Sequence, residues 1–153
     1  MEIIVPKPDA IATMLESLLG REVYVTPGDP GETAYAGRYI GQGDELAAVG
    51  LADMALVAYA GSALSMVPPA TAKDVAASGD PTEPMVENLH EVLNVSASLL
   101  IDAGSDHVRL DGIKPAEALD ADTAELIASG TVTGFTVDID GYGKGSLAFV
   151  TTG

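Results

Sequence analysis

Four polar side chains share one face of the longest predicted helix, which begins after Asp80-Pro81 and runs to about Asp102. An advance of about 100° per residue places them within roughly 60° of one another, opposite an apolar face: Glu87, Glu91, Asn94 and Ser98. The face carries two carboxylates and no Lys or Arg, so it gains nothing from ion pairs along the helix. Asn is a mediocre helix former, and outward hydrogen bonding would explain its place in mid-helix. The alternative interpretation is an ordinary solvated helix face.

The run Glu91-Val92-Leu93-Asn94 resembles the E-x-x-N signature of the CheC/CheX/FliY family of chemotaxis phosphatases. In that family an Asp or Ser stands four residues before the Glu, and a Pro follows the Asn. Here Glu87 occupies the first place, which is a departure, and Pro115 lies 21 positions after Asn94, close to the family's spacing. The order of the predicted elements also agrees with the family. The resemblance covers roughly residues 9–150 and implies a single CheX-like domain over residues 1–153.

The resemblance implies that the substrate is a phosphorylated response regulator of the CheY type, whose aspartyl phosphate is a reactive acyl phosphate. Asn94 would enter the regulator's site and orient the attacking water, and Glu91 would pair with a lysine beside the phosphoaspartate. Glu87 and Ser98 would contribute to partner binding. The protein would need no metal or cofactor of its own, because Mg²⁺ is held by the regulator. A non-catalytic interaction module of the same fold is the second hypothesis.

Other candidate sites are weaker. The chain has two histidines, His90 and His107, whereas a metal site needs three or four convergent ligands. The run 138–141 resembles the start of a calcium loop but lacks the later acidic ligands, so a hairpin turn is expected. The run 141–146 resembles a phosphate-binding loop, but Gly145 interrupts the required pattern. There is no cysteine, which excludes a thiol nucleophile and a disulfide framework.

The hydropathy pattern predicts consecutive runs of strands between groups of helices. Because strands do not alternate singly with helices, we expect an α+β fold with an antiparallel sheet packed against long helices. Asp120 and Asp122 are interpreted as a turn and a helix cap. Helices are predicted over 9–19, 54–66, 70–77 and 83–102, with a short one within 120–129, and strands over 22–26, 33–40, 46–51, 107–113, 131–139 and 146–151.

The charge excludes some partners. Seven basic and 23 acidic residues give a formal net charge of −16, which argues against nucleic-acid binding and against a polybasic membrane surface. No signal peptide or apolar run long enough to span a bilayer is visible, so a cytoplasmic protein without membrane insertion is expected. Val- and Thr-rich end strands would leave sheet edges open, and a homodimer formed edge to edge would cover one of them.

Overall fold

The computed structural model describes residues 3–101 and 107–152. Within these ranges the chain forms helices and strands in nearly the predicted order. The helices are α1 (Pro8–Leu19), α2 (Met54–Leu64), α3 (Pro69–Ser78), α4 (Glu83–Ser96) and α5 (Ala121–Ser129). The strands are β1 (Val23–Pro27), β2 (Tyr35–Ile40), β3 (Leu46–Ala52), β4 (Arg109–Pro115), β5 (Thr131–Ile139) and β6 (Gly143–Thr151).

All six strands join one antiparallel sheet in the order β1-β5-β6-β3-β2-β4. The predicted α+β class with an antiparallel sheet is therefore confirmed. The β5–β6 hairpin turns at Asp140-Gly141, as the sequence predicts, with Gly141 at a φ of +84°. The edges of the sheet are β1 and β4. The prediction that the strands at the end of the chain leave edges open is wrong, because β5 and β6 lie inside the sheet.

Apolar side chains fill both faces of the sheet. Helices α1, α2 and α4 cover one face, where Tyr39 and Phe149 are fully buried. Helix α5 covers part of the other face, where Leu126 meets Val49 and Val150. Each fully buried large apolar side chain stabilises the fold by about 1.5–3 kcal/mol. The sequence predicts seven inward-facing residues on the longest helix. Six of them are buried and Leu99 is half-buried, which confirms this face: Met85, Leu89, Val92, Leu93 and Ser96 on α4, and Leu100 just after it.

The longest predicted helix is shorter than expected. Helix α4 ends at Ser96 and continues as a 3₁₀ turn over Ala97–Leu100. The change begins where the N–H of Ala97 bonds the carbonyl of Asn94, three residues back, instead of the carbonyl four residues back. The sequence predicts that this helix ends near Asp102 with Gly104 as its stop, and both residues lie outside the described ranges. Within the described ranges, no helix is both long and apolar enough to cross a lipid bilayer.

Candidate active site

The start of α4 follows from its capping sequence. Thr82 is extended, and its Oγ1 accepts a hydrogen bond from the N–H of Met85 at 3.4 Å. Such a cap stabilises a helix by about 1 kcal/mol. Pro84 lies in the first turn, where its missing N–H costs no hydrogen bond, and Glu83 favours the positive end of the helix.

The middle of α4 is attached to α2. Asn88 Nδ2 donates to the carbonyl of Gly61 at 2.8 Å and to Ser65 Oγ at 2.6 Å. The two helices approach so closely that a Cβ on Gly61 would lie 2.7 Å from the carbonyl oxygen of Met85. Of the two asparagines in the helix, Asn88 therefore serves packing, while Asn94 is left for the surface.

The end of α4 is attached to the sheet through a buried hydrogen bond. The Tyr39 hydroxyl on β2 donates to the carbonyl of Leu93 at 2.6 Å. Leu93 precedes Asn94, whose own carbonyl accepts the N–H of Ala97. Burial raises the pKa of the Tyr39 phenol well above its ordinary value, which keeps the hydroxyl protonated as a donor. The backbone that carries the Glu-x-x-Asn run is thereby held from two sides.

The structure brings three of the four predicted site residues together on the outer face of α4. Glu87, Glu91 and Asn94 are all exposed, as the helical period predicts. Ser98 is exposed too, but it lies in the 3₁₀ turn, and its Oγ donates to the carbonyl of Val95 at 3.1 Å. Within residues 3–101 and 107–152, the Asn94 carboxamide makes no hydrogen bond, so it is available to a partner. The functional roles of the four residues stay predictions.

The outer face of α4 carries uncompensated negative charge. The helix contains three glutamates and neither Lys nor Arg. In the part of the chain that the structure describes, every ion pair involves Arg38, Arg109 or Lys114, and none reaches α4. The C-terminal end of the helix dipole adds negative potential beside Asn94. This face is suited to a cationic group on another molecule.

Pro115, the proline that follows Asn94 in the family resemblance, is the last residue of β4. It is half-buried and lies opposite Tyr35 in the pairing of β4 with β2. Helix α4 packs on β4 from one side, so the proline belongs to the strand beneath the helix. The sequence distance from Asn94 to Pro115 thus spans the return of the chain from α4 to the sheet edge.

A second cluster of charges lies on the opposite face of the sheet and was not predicted. The Arg38 Nε is 3.4 Å from Asp111 and 3.7 Å from Asp120, and Nη1 bonds Asp122 and, at 2.8 Å, Thr123. The hydrogen bond from Arg38 lowers the pKa of the Asp122 carboxyl, and the same contact raises the pKa of the guanidinium. These partners are 73 to 85 residues from Arg38 along the chain, so no local pattern signals them.

The cluster corrects the interpretation of two aspartates. Asp120 occupies the N-cap position of α5, but its side chain makes no capping bond. Instead it accepts from Lys114 Nζ at 2.7 Å and lies near Arg38. Asp122 accepts the N–H of Thr123 at 2.8 Å in addition to the guanidinium. A cavity of about 250 Å³ adjoins the cluster, whose charges largely neutralise one another.

The remaining sequence candidates belong to the scaffold. The run 138–141 ends β5 and forms the hairpin turn, where the N–H of Tyr142 bonds the carbonyl of Ile139 at 2.9 Å. The run 141–146 enters β6 and so precedes no helix. His90 and His107 are exposed. Among the described residues, no three His, Cys, Asp or Glu side chains converge as metal ligands.

Comparison with known proteins identifies solved structures that share the fold of this chain. No family model matches the sequence, and no curated protein matches it. Among solved structures, FliY from Thermotoga maritima aligns over 93% of this chain and 82% of its own, with 16% identity and a TM-score of 0.60. A chain of the FliM–SpeE complex from H. pylori aligns over 95% and 81%, with 7% identity and a TM-score of 0.64. The FliM middle domain from Vibrio alginolyticus aligns over 95% and 88%, with 11% identity and a TM-score of 0.55.

These identities are low, so the likeness concerns architecture. It spans 93% and 95% of this chain in the first two comparisons. The resemblance first seen in a four-residue run therefore extends to the arrangement of elements. The chain has the fold of FliY and the FliM middle domain, which confirms the CheC/CheX/FliY resemblance at the level of the fold.

Proposed function

We propose that this protein stimulates hydrolysis of the aspartyl phosphate of a CheY-type response regulator. The observation that carries the proposal is an exposed carboxylate and an exposed carboxamide, Glu91 and Asn94, one turn apart on a helix held by Tyr39 and Asn88. The fold family includes phosphatases, and its members are not all catalytic. A rigid helix that presents unengaged polar groups is what insertion into another protein's site requires.

The reaction needs little from the phosphatase. Water attacks the phosphorus, the bond from phosphorus to the aspartyl oxygen breaks, and the products are inorganic phosphate and the aspartate carboxylate. The Asn94 carboxamide can accept a hydrogen bond from this water and hold it in line with the breaking bond. The regulator's own Mg²⁺ would neutralise charge on the transferring phosphoryl group. In this proposal the protein itself orients the attacking water and excludes attack from other directions.

Glu91 has a separate proposed role in register. Glu91 forms no ion pair with the described residues. It can therefore bind a lysine beside the phosphoaspartate, which would place Asn94 over the phosphorus. Glu87, one turn earlier, extends the same negative face toward the partner. It stands where the family has Asp or Ser, so its longer side chain suits docking. Association through these charges is expected to weaken as salt rises, because exposed pairs are screened.

The direct test is a timed decay of phosphorylated regulator with and without this protein. Asn94→Ala should lower the stimulated rate by about 100-fold, the scale expected for losing one positioning group. Its thermal stability should match the parent because Asn94 is exposed and its carboxamide makes no hydrogen bond to the residues that the structure describes. Glu125→Ala, an exposed change on α5 across the sheet, is the matched control and should keep full activity. An unchanged phosphate lifetime across the cognate regulators would reject the proposal.

A non-catalytic interaction module is the second candidate. The likeness to FliM supports it, because FliM chains have been solved in the FliM–SpeE and FliG–FliM complexes from H. pylori. In that case the acidic face of α4 would bind a partner without hydrolysis. A titration that shows binding, together with an unchanged phosphate lifetime, would select this candidate.

Homodimer formation through a sheet edge is also proposed. Of the two edges, β4 carries Arg109, Lys114 and an irregularity in its pairing with β2, features that oppose edge pairing. Strand β1 has no charged residue among its five and exposes Tyr24. Pairing through β1 would leave the outer face of α4 open to a regulator.

A further inference from the structure

Met66 occupies a backbone position that normally belongs to glycine. It follows α2 with a φ of +60°. Its N–H bonds the carbonyl of Ala63 at 3.3 Å, and the N–H of Val67 bonds the carbonyl of Ser62 at 2.9 Å. These two bonds define a Schellman motif, in which the left-handed residue is usually Gly because a side chain there is strained.

The same chain uses glycine at the two comparable helix ends. Helix α1 ends at Gly20 with a φ of +69°, and α3 ends at Gly79 with a φ of +73°. Met66 departs from this rule and is also 81% exposed, the most exposed large apolar side chain in the described ranges. Both the strained backbone and the exposed thioether side chain are unfavourable in the isolated protein. A contact made with another molecule would compensate both.

Met66 is held rigidly beside α4. The preceding residue, Ser65, accepts a hydrogen bond from Asn88 at 2.6 Å. Val67 accepts a hydrogen bond from the Tyr142 hydroxyl, and Pro68 and Pro69 follow. These contacts hold the backbone on both sides of Met66.

This turn borders the acidic face of α4. Asn88 comes three residues before Glu91, and Glu87 comes four before it, so Glu91 is a helix-surface neighbour of both. Because Asn88 touches Ser65, the methionine turn lies along the side of the helix that faces α2. An apolar group at the border of a charged face is a common feature of docking surfaces, where a flexible thioether fits irregular partners.

We propose that Met66 is the apolar anchor of the regulator-docking surface, which consists of Met66, Glu87 and Glu91 beside Asn94. This inference rests on the proposed function. The partner surface it fits has a lysine next to the phosphoaspartate and an apolar side chain or shallow pocket at the neighbouring position. The glutamates, which form no ion pair with any described residue, argue for the cation, and the exposed methionine argues for the apolar contact. Met66 is a specificity residue, since it touches no reacting atom.

The experiment measures binding and turnover separately. The probe is a CheY-type regulator from the same organism, held in its phosphorylated form with beryllofluoride for titration and phosphorylated for kinetics. Met66→Gly relieves the backbone strain and should leave the melting temperature equal or higher. The same variant should raise the dissociation constant and KM about tenfold, the scale of losing one buried apolar side chain, with kcat retained.

Three further variants make the result specific. Met66→Asn tolerates the left-handed backbone but is polar, so it should weaken binding as Gly does. Met66→Leu should restore affinity to within about threefold of the parent, because the apolar contact returns. Val132→Thr, at an apolar position on β5 that is 39% exposed, is the matched control. It should leave the dissociation constant, KM and kcat unchanged.

The outcomes separate this inference from the proposed function. Loss of affinity in Met66→Gly with kcat retained supports the inference about Met66. Asn94→Ala should instead retain affinity and lower kcat. Unchanged affinity in Met66→Gly overturns the inference while leaving the phosphatase proposal standing. A change in oligomeric mass without a change in regulator affinity would assign Met66 to self-association and also overturn it. Absence of any regulator binding by the parent protein would overturn both.

Discussion

Replacing Tyr39 by Phe tests how the core holds the candidate site. Tyr39 is fully buried, and its ring lies 6.4 Å from that of Phe149 between centroids. Its hydroxyl donates to the carbonyl of Leu93 at 2.6 Å. Phe keeps the ring and its packing but removes the donor. The carbonyl beside Asn94 then loses its buried partner.

The expected cost is about 1–3 kcal/mol in the free energy of unfolding, the range for leaving a buried polar group unsatisfied. For a domain of this size, about 2–4 °C of melting temperature corresponds to each kcal/mol. Tyr39→Phe should therefore melt about 2–12 °C lower at neutral pH. Backbone amide exchange should also increase in the last turn of α4, because the hydrogen bond holds that turn to β2.

The pH dependence of the unfolding free energy gives an independent test of the Tyr39 hydrogen bond. Burial raises the pKa of the Tyr39 phenol above its ordinary value, which is about 10 in the unfolded chain. The stabilisation from the protonated phenol is fully present below about pH 10 and is lost as the pH rises above it, because the unfolded phenol then ionises first. The limiting slope is about 1.4 kcal/mol per pH unit. The Phe variant lacks this slope, so the gap to the parent should narrow in alkali.

Urea unfolding at several pH values between about 7 and 11 measures both effects. Tyr35→Phe is the matched control, since Tyr35 lies on the same strand, is half-buried and has a hydroxyl without a hydrogen bond among the described residues. The control should unfold like the parent at neutral pH. Equal stability of Tyr39→Phe and the parent at pH 7, or a gap that does not narrow in alkali, would refute this reasoning.

Two further predictions concern charge. Arg38→Met should lower the free energy of unfolding by about 0.2–1 kcal/mol at pH 7, because three partly exposed aspartates lose their shared cation. Arg38 lowers the pKa of Asp122. The contribution of that carboxylate to stability is therefore present above about pH 4 and is lost as the pH falls through the lowered pKa. If the difference in unfolding free energy between the parent and Arg38→Met does not shrink in urea titrations at acid pH, the assignment is contradicted. The homodimer should associate more strongly at about 0.5 M than at about 0.05 M salt, because salt screens repulsion between chains of charge −16. Sedimentation at a monomer mass in both buffers would argue against it.

Local patterns predicted the elements and the outer face of α4. The helical period of 3.6 residues predicted that Leu89 and Val92 face the core while Glu91 and Asn94 face outward. A helix that buries one side repeats apolar residues in each turn, so a few adjacent turns are enough to show the pattern. The hairpin at Asp140-Gly141 depends on residues close in sequence and was predicted. The sequence also predicts a cap at Asp80 before Pro81, which is wrong, because the residue that caps α4 is Thr82. The element order, combined with the Glu-x-x-Asn run, was sufficient for the fold resemblance.

The tertiary structure alone decided where α4 ends, which strands are edges and which charges meet. Leu93 is 54 residues from Tyr39, and Arg38 is 84 residues from Asp122. Such pairs are brought together by strand order and register, which depend on the whole set of packed faces and leave no local periodicity. The turn at Met66 is likewise held by distant residues, since Asn88 donates to Ser65 and Tyr142 donates to Val67. By itself the sequence determined which residues could do chemistry at the surface, while tertiary contacts between distant segments determined how rigidly those residues are presented.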